Sequence, residues 1–195
     1  ALGGTPDAGG SWNDDDATGA LTGGMFDATA VVPGNYNFTY TATATGCNAA
    51  TATVTVVVSD TVTAGQQTAI TICADATATD LFAALNGTPD TGGNWSDNDG
   101  TGALSNGIFN ATLVQPGTYS FTYNVNGAPC ADASATLFVT VNALPNAGQD
   151  GIITVCNSDA AVQLFAGLAG TPEIGGTWSD DNGTNALNGG VFDPT

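Results

Sequence analysis

The sequence contains no Lys, no Arg and no His, against 18 acidic side chains, so its formal charge is −18. Without cationic side chains the chain has nothing with which to neutralise phosphates, which argues against nucleic acid as a partner. An anionic membrane surface would repel it for the same reason. Without His there is no imidazole base, no Ser-His-Asp or Cys-His arrangement and no His-ligated metal. These absences predict that the protein is not an enzyme.

Long apolar runs are also missing. No stretch of about 18 apolar residues could form a membrane-spanning helix, so no membrane insertion is expected. The start of the chain lacks the basic and apolar regions of a signal peptide. Hydrophobic residues still make up 42% of the chain and charged residues only 9%, a balance typical of a folded protein. Abundant Thr and Val, with 27 Gly, indicate strands and turns.

An internal repeat of 83 residues organises the chain. The residues that recur at this spacing include Trp12, Trp95 and Trp178, then Phe26, Phe109 and Phe192, then Cys47 with Cys130, and Cys73 with Cys156. Two residues separated by 83 positions are called in phase below. A unit of this length is too long for a solenoid or propeller repeat and has the size of a small β-sandwich domain.

The repeat also sets the expected domains. Residues 60–142 form a complete unit, residues 1–59 a unit without its first strands, and residues 143–195 a unit without its last strands. Because both ends fall inside a repeat, we expect the chain to be a window on a longer tandem array. The linkers are only a few residues long, and Pro145 stiffens the second, which favours an extended rod.

The complete unit is predicted to be all-β. The expected strands are Thr68–Ile72, Leu81–Leu85, Gly92–Ser96, Gly107–Thr112, Thr118–Val125 and Ala135–Val141. The strictest alternation is in Thr118–Val125, where every second residue from Tyr119 is apolar or aromatic. A weak helical alternative exists only at Asp80–Leu85. Six or seven short strands with an inward Trp95 predict tandem immunoglobulin-like β-sandwiches.

Three motifs of the complete unit point to a family. They are Leu-Phe-x-x-Leu-x-Gly-Thr-Pro-x-x-Gly-Gly-x-Trp-Ser-Asp from Leu81, Pro-Gly-Thr-Tyr-x-Phe-Thr-Tyr from Pro116, and Pro129-Cys130 before a Thr/Val strand. This pattern resembles the tandem Ig-like repeats of giant cell-surface adhesins of Bacteroidota, including the flavobacterial gliding-motility adhesins. The resemblance covers the whole chain.

The resemblance implies an extracellular protein at the cell surface, attached through a C-terminal sorting domain. It implies a structural and adhesive role, in which these repeats form a rigid stalk or filament. Its partners would be other repeats of the same chain, laterally associated filaments, and surface or glycan ligands at terminal domains. The alternative function is an array of carbohydrate-binding Ig-like modules, which would require an exposed aromatic platform.

Four cysteines in an exported β-protein suggest disulfides, with three connectivities open. Only Cys73–Cys130 lies within the complete unit, and it is the pairing we predict, with Cys47 and Cys156 pairing outside the window. The alternative, Cys47–Cys73 with Cys130–Cys156, would join adjacent domains. In an end-to-end rod those partners lie beyond the reach of a disulfide.

The turn after each Trp is acidic and supplies the candidate cation site. Alternating carboxylates followed by Gly suit Ca²⁺, which takes six to eight oxygen ligands around a tight turn. The alternative is an ordinary solvated turn, since Asp, Asn and Gly are common turn residues. The candidate ligands are Asp14, Asp16, Asp97, Asp99 and Asp180.

A candidate modification site lies at the first domain boundary. Asp60-Thr61-Val62 resembles the Asp-Thr/Ser-aliphatic O-glycosylation signal of Bacteroidota, with Thr61 as the acceptor. A glycan could be accommodated at a junction between two domains.

Overall fold

The computed structural model describes residues 3–195, and within this range it contains β-strands, turns and three short 3₁₀ segments but no α-helix. None of its helical segments has the length and apolar character needed to cross a membrane. The chain is therefore all-β, as its composition predicts.

The elements repeat with the sequence. The first repeat has strands β1 (Ser11–Asp14), β2 (Leu21–Thr22), β3 (Met25–Phe26), β4 (Gly34–Ala42) and β5 (Ala50–Val58), with a 3₁₀ segment at Ala28–Ala30. The second has β6 (Thr68–Cys73), β7 (Thr79–Asp80), β8 (Asn94–Asp97), β9 (Leu104–Ser105), β10 (Ile108–Phe109), β11 (Gly117–Val125) and β12 (Ala133–Asn142), with a 3₁₀ segment at Ala111–Leu113. The third has β13 (Val162–Gln163), β14 (Leu187–Asn188) and β15 (Val191–Phe192), with a 3₁₀ segment at Leu164–Gly167.

Two sheets form the second repeat. One has the strand order β6-β12-β11-β8 and the other β7-β10-β9. Strand β6 runs parallel to β12, whereas the other pairs are antiparallel. With the seven strands lettered A to G along the chain, the sheets read A-G-F-C and B-E-D, which is the arrangement of an immunoglobulin-like sandwich.

The core of this sandwich comes from the alternation seen in the sequence. Phe121, Leu137 and Val139 are fully buried between the sheets, and Trp95 and Tyr119 pack against them. All members of this core lie between residues 62 and 141. At the start of β11, the Tyr119 hydroxyl donates to the carbonyl of Gln115 at 2.7 Å, the tyrosine corner found in many such sandwiches. The predicted alternation of β11 is confirmed, and β12 follows the same alternation.

The prediction of a strand at Leu81–Leu85 is wrong. The segment is a turn that directly follows β7, and the carboxylate of Asp80 accepts hydrogen bonds from the backbone N–H groups of Phe82 and Ala83 at 2.9 and 3.2 Å. Its apolar residues still reach the core, since Leu81 is fully buried and Leu85 nearly so. The segment is apolar because it closes one side of the sandwich.

The other two repeats show parts of the same sandwich. Sheet β1-β4-β5 and hairpin β2-β3 of the first repeat are in phase with β8, β11, β12, β9 and β10. Sheet β13-β15-β14 of the third repeat is in phase with β7-β10-β9. Among the described residues no strand lies along the outer edge of β5, the edge that in β12 carries β6.

Candidate functional site

The Gly-Gly-x-Trp motif holds the sandwich together. The Tyr123 hydroxyl accepts a hydrogen bond from Gly93 N–H and donates one to the carbonyl of Asp90, both at 2.8 Å. A side chain at Gly93 would overlap the carbonyl oxygen of Asn124, so only glycine fits there. The Trp95 ring packs on Tyr123 with centroids 5.1 Å apart. Trp95 therefore serves the core, and its packing gives no support to a sugar-binding platform.

The third repeat exposes the in-phase tryptophan. Trp178 is 37% exposed and lines an open cavity of about 710 Å³ together with Phe165, Leu168 and Ile174. In the second repeat Tyr123 of β11 covers the equivalent Trp95. Because the cavity lies where β11 packs in the complete sandwich, it is an uncovered part of the core.

The first aspartate of each acidic turn closes the turn. At the end of β8, one carboxylate oxygen of Asp97 accepts from the Thr101 hydroxyl at 2.9 Å and from Gly102 N–H at 3.0 Å. Gly102 has φ +68°, a left-handed conformation that favours glycine. Asp14 and Asp180 make the same two bonds to the in-phase residues, Thr18 with Gly19 and Thr184 with Asn185.

The second aspartate fastens the turn to the neighbouring strand. Asp99 accepts from the backbone N–H and the hydroxyl of Ser120 in β11, at 2.6 and 2.9 Å. Asp16 accepts from the N–H of Asn37 in β4 at 2.6 Å. Sequence reasoning missed the hydrogen-bond partners of both aspartates. For the first aspartate a signal was visible, since in all three repeats a threonine follows it four positions later.

These bonds leave few oxygens for a cation. The second carboxylate oxygens of Asp14 and Asp97 are buried without a hydrogen-bond partner. Residues 3–195 contain no group of three or more acidic, Cys or His side chains arranged as metal ligands, whereas Ca²⁺ takes six to eight oxygens. The residues present therefore give the turn a structural role, and calcium there stays a prediction from the sequence.

The hydrogen bonds of the turn also affect its acidity. The bond from the Thr184 hydroxyl is the main cause that lowers the pKa of Asp180 below its usual 3.8, and the N–H groups of Asn185, Thr184 and Asn182 lower it further. The pKa of Asp14 is also lowered: burial raises it, but the bonds from Thr18 and Gly19 outweigh that effect. The native turns of the first and third repeats thus favour the ionised forms of Asp14 and Asp180.

The predicted Cys73–Cys130 disulfide is wrong. Cys73 is paired in register with Asn142 at the end of β12, whereas Cys130 precedes the first residue of that strand, Ala133. A strand of ten residues is about 30 Å long, far beyond the Cα separation of about 7 Å that a disulfide allows. Sequence order did not reveal that β6 is parallel to β12, which puts the two thiols at opposite ends of the sandwich. All four cysteines are free thiols, including the exposed Cys47 and Cys156.

The junction between the first two repeats is compact. Val62 packs on the turn between β11 and β12, where a Cβ on Gly127 would come within 3.0 Å of it. The Cys130 sulfur in the same turn lies 3.8 Å from the carbonyl oxygen of Ser59, the residue after β5. Thr61, the predicted glycosylation acceptor, is exposed beside this contact, and its N–H donates to Asp60 at 3.0 Å.

No protein-family model and no curated protein matches this chain. Among solved structures it is similar to a protocadherin gammaB7 EC3-6 cis-dimer structure, with 14% sequence identity and a TM-score of 0.29. The alignment covers 70% of this chain and 36% of that one. A likeness at this level is too weak to indicate a fold or a function. The fold is shown by the sheet order and the strand registers.

Proposed function

We propose that this chain is a structural and adhesive stretch of an extracellular stalk, in which immunoglobulin-like sandwiches stack end to end. The observation that carries the proposal is the path of the chain through the second repeat. The chain enters beside the β11–β12 turn, where Val62 meets Gly127, and leaves after Asn142 at the far end of β12. Repeats joined in this way follow one another along the strand direction.

The first junction supports the same arrangement. Strand β5 ends at Val58, and the next residue, Ser59, contacts Cys130 in the turn that precedes β12. The last strand of one repeat therefore points at the beginning of the last strand of the next. A linker this short leaves little freedom for the two domains to swing apart.

The charge of the chain favours an extended shape. A formal charge of −18 with no positive side chain makes the repeats repel one another. Stacking end to end spreads that charge, whereas packing the repeats side by side would concentrate it. Salt screens only charges separated by more than about 10 Å at ordinary ionic strength.

The role we propose is mechanical rather than catalytic. The recurring carboxylates are held in hydrogen bonds, as for Asp97 with Thr101 and Asp99 with Ser120. Trp95 packs against the sandwich core, and Trp12 and Trp178 occupy the in-phase positions. Adhesive partners of the stalk would be surface or glycan ligands bound by other parts of a longer protein.

Small-angle X-ray scattering of the 195-residue chain tests the proposed shape. About 2.35 sandwiches of roughly 35 Å each form a rod about 80 Å long, from strand lengths at 3.3 Å per residue, with a radius of gyration of about 23 Å. A compact globule of this length would have a radius of gyration of about 16 Å. A radius of gyration near the compact value of about 16 Å at every salt concentration would overturn the stalk proposal.

A further inference from the structure

We propose that consecutive repeats are locked by a disulfide across the junction, between the cysteine in phase with Cys73 in one repeat and the cysteine in phase with Cys130 in the next. Cys130, in the second repeat, would form this disulfide with the cysteine that ends the first strand of the repeat before it. The inference rests on the proposed end-to-end stacking and adds the covalent bond that fixes it.

The position of the first thiol follows from the second repeat. Cys73 ends β6 opposite Asn142, and the N–H of the next residue, Ala74, donates to the Asn142 carbonyl at 2.9 Å. Standard bond lengths then place the Cα of Cys73 within about 6 Å of that carbonyl oxygen. The thiol is exposed at the end of the sandwich from which the chain leaves.

The position of the second thiol follows from the first junction. Ser59 is in phase with Asn142, so its carbonyl is the one beside which a cysteine in phase with Cys73 would lie. The Cys130 sulfur lies 3.8 Å from that same oxygen. Two independent contacts, one in each repeat, thus bring the two cysteines to one carbonyl group, and the distances suit the Cα separation of about 4.4–6.8 Å found in disulfides.

The turn that carries Cys130 is held in place. Its N–H bonds to the carbonyl of Gly127, whose own N–H donates to Asp132 at 2.9 Å. Gly127 is buried against Val62, so the turn cannot move away from the linker without opening the junction. The Cys130 thiol is half-buried and therefore still accessible to an oxidant.

The bond formation is a two-electron oxidation. The two thiols lose two protons and two electrons as the sulfur–sulfur bond forms, and a disulfide oxidant such as oxidised glutathione is reduced to two thiols. The exchange proceeds through a mixed disulfide on one cysteine, which the second thiolate then displaces. A cysteine held next to its partner closes this bond at an effective concentration on the order of millimolar or more.

The test completes the first repeat from the chain's own sequence. Because residue 1 is in phase with residue 84, a copy of residues 60–83 placed directly before residue 1 supplies the strand in phase with β6 without a shift in register. The extended chain carries Cys73→Ser, so that its own Asp60–Ala74 peptide differs in mass from the otherwise identical added copy. It is refolded in a glutathione buffer and its disulfides are mapped after Asp-N digestion. We expect the added cysteine to be joined to Cys130, at least about tenfold over any other pairing.

Two matched variants sharpen the result. Cys130→Ser should abolish the cross-link, whereas Cys47→Ser, which changes the in-phase cysteine of the first repeat, should leave it unchanged. Hydrogen exchange along β5 reports separately whether the added strand pairs. An added cysteine that stays free or joins Cys47 contradicts the proposal, and so does an added strand that leaves β5 unprotected, because the equivalence of the repeats would then be false. Scattering from the same sample shows whether the stalk shape survives such a failure.

Discussion

The first and second repeats share five aromatic residues in phase but bury their core residues differently. Phe109 and Val139 are fully buried in the second repeat, whereas the in-phase Phe26 and Val56 of the first are only half-buried. These two residues line an open cavity of about 190 Å³ in the first repeat. In the second repeat the corresponding core contains Leu81 together with β6.

The comparison shows that β6, β7 and the turn after them close the sandwich. Three strands of one sheet and a hairpin of the other keep their antiparallel pairing in the first repeat, because the paired residues lie at most 30 positions apart. Full burial of the core requires the segment that begins the repeat. Its strand β6 pairs in parallel with β12, some 70 positions later in the chain. The stabilising contribution of residues at the centre of the core should therefore depend most strongly on that segment.

The largest expected effect is therefore at the recurring phenylalanine. Phe109→Ala should cost about 3–5 kcal/mol of unfolding free energy in the second repeat, since a fully buried ring leaves a cavity. Phe26→Ala should cost less than about 2 kcal/mol, because its ring already borders open space. Urea unfolding followed by hydrogen exchange in β11 and β4 separates the two repeats. Equal losses would show that the first repeat is as closed as the second.

A smaller effect is expected at the first aspartate of the turn. Asp97→Ala removes two hydrogen bonds to a carboxylate in the complete sandwich and should cost about 1–2 kcal/mol. Asp180→Ala removes the in-phase pair in the third repeat, where the turn is exposed, and should change stability little. Urea midpoints of the two variants, measured beside the parent chain, give the comparison. A larger loss for Asp180→Ala would contradict it.

Local patterns in the sequence predict the strands and the inward residues well. The alternation in β11 and β12 depends on neighbouring residues, so it gives both the strands and their buried face. The pairing of β6 with β12 depends on residues some 70 positions apart, and no local pattern specifies its direction. The Cys73–Cys130 prediction failed for that reason. The strand predicted at Leu81–Leu85 was wrong because an apolar turn and a short buried strand have the same composition.

The smallest expected effect concerns acid. Because the pKa of Asp180 is lowered in the native state, its contribution to stability is present above pH 3.8 and is lost as the pH falls through the native value. Thr184→Val removes the main bond responsible and should raise the pKa of Asp180 toward 3.8. Carboxyl-carbon NMR titration of both chains measures the shift. An unchanged pKa would mean that the hydroxyl bond does not form in solution.

End-to-end stacking is the central claim, and the distance between two in-phase cysteines tests it most directly. With Cys73→Ser and Cys156→Ser, spin labels on Cys47 and Cys130 report the translation from one repeat to the next by double electron–electron resonance. A strand of about 33 Å plus the linker predicts a distance of about 35–45 Å. Repeats packed side by side, with sheets about 10 Å apart, would bring the labels within about 25 Å, and that result would contradict the account.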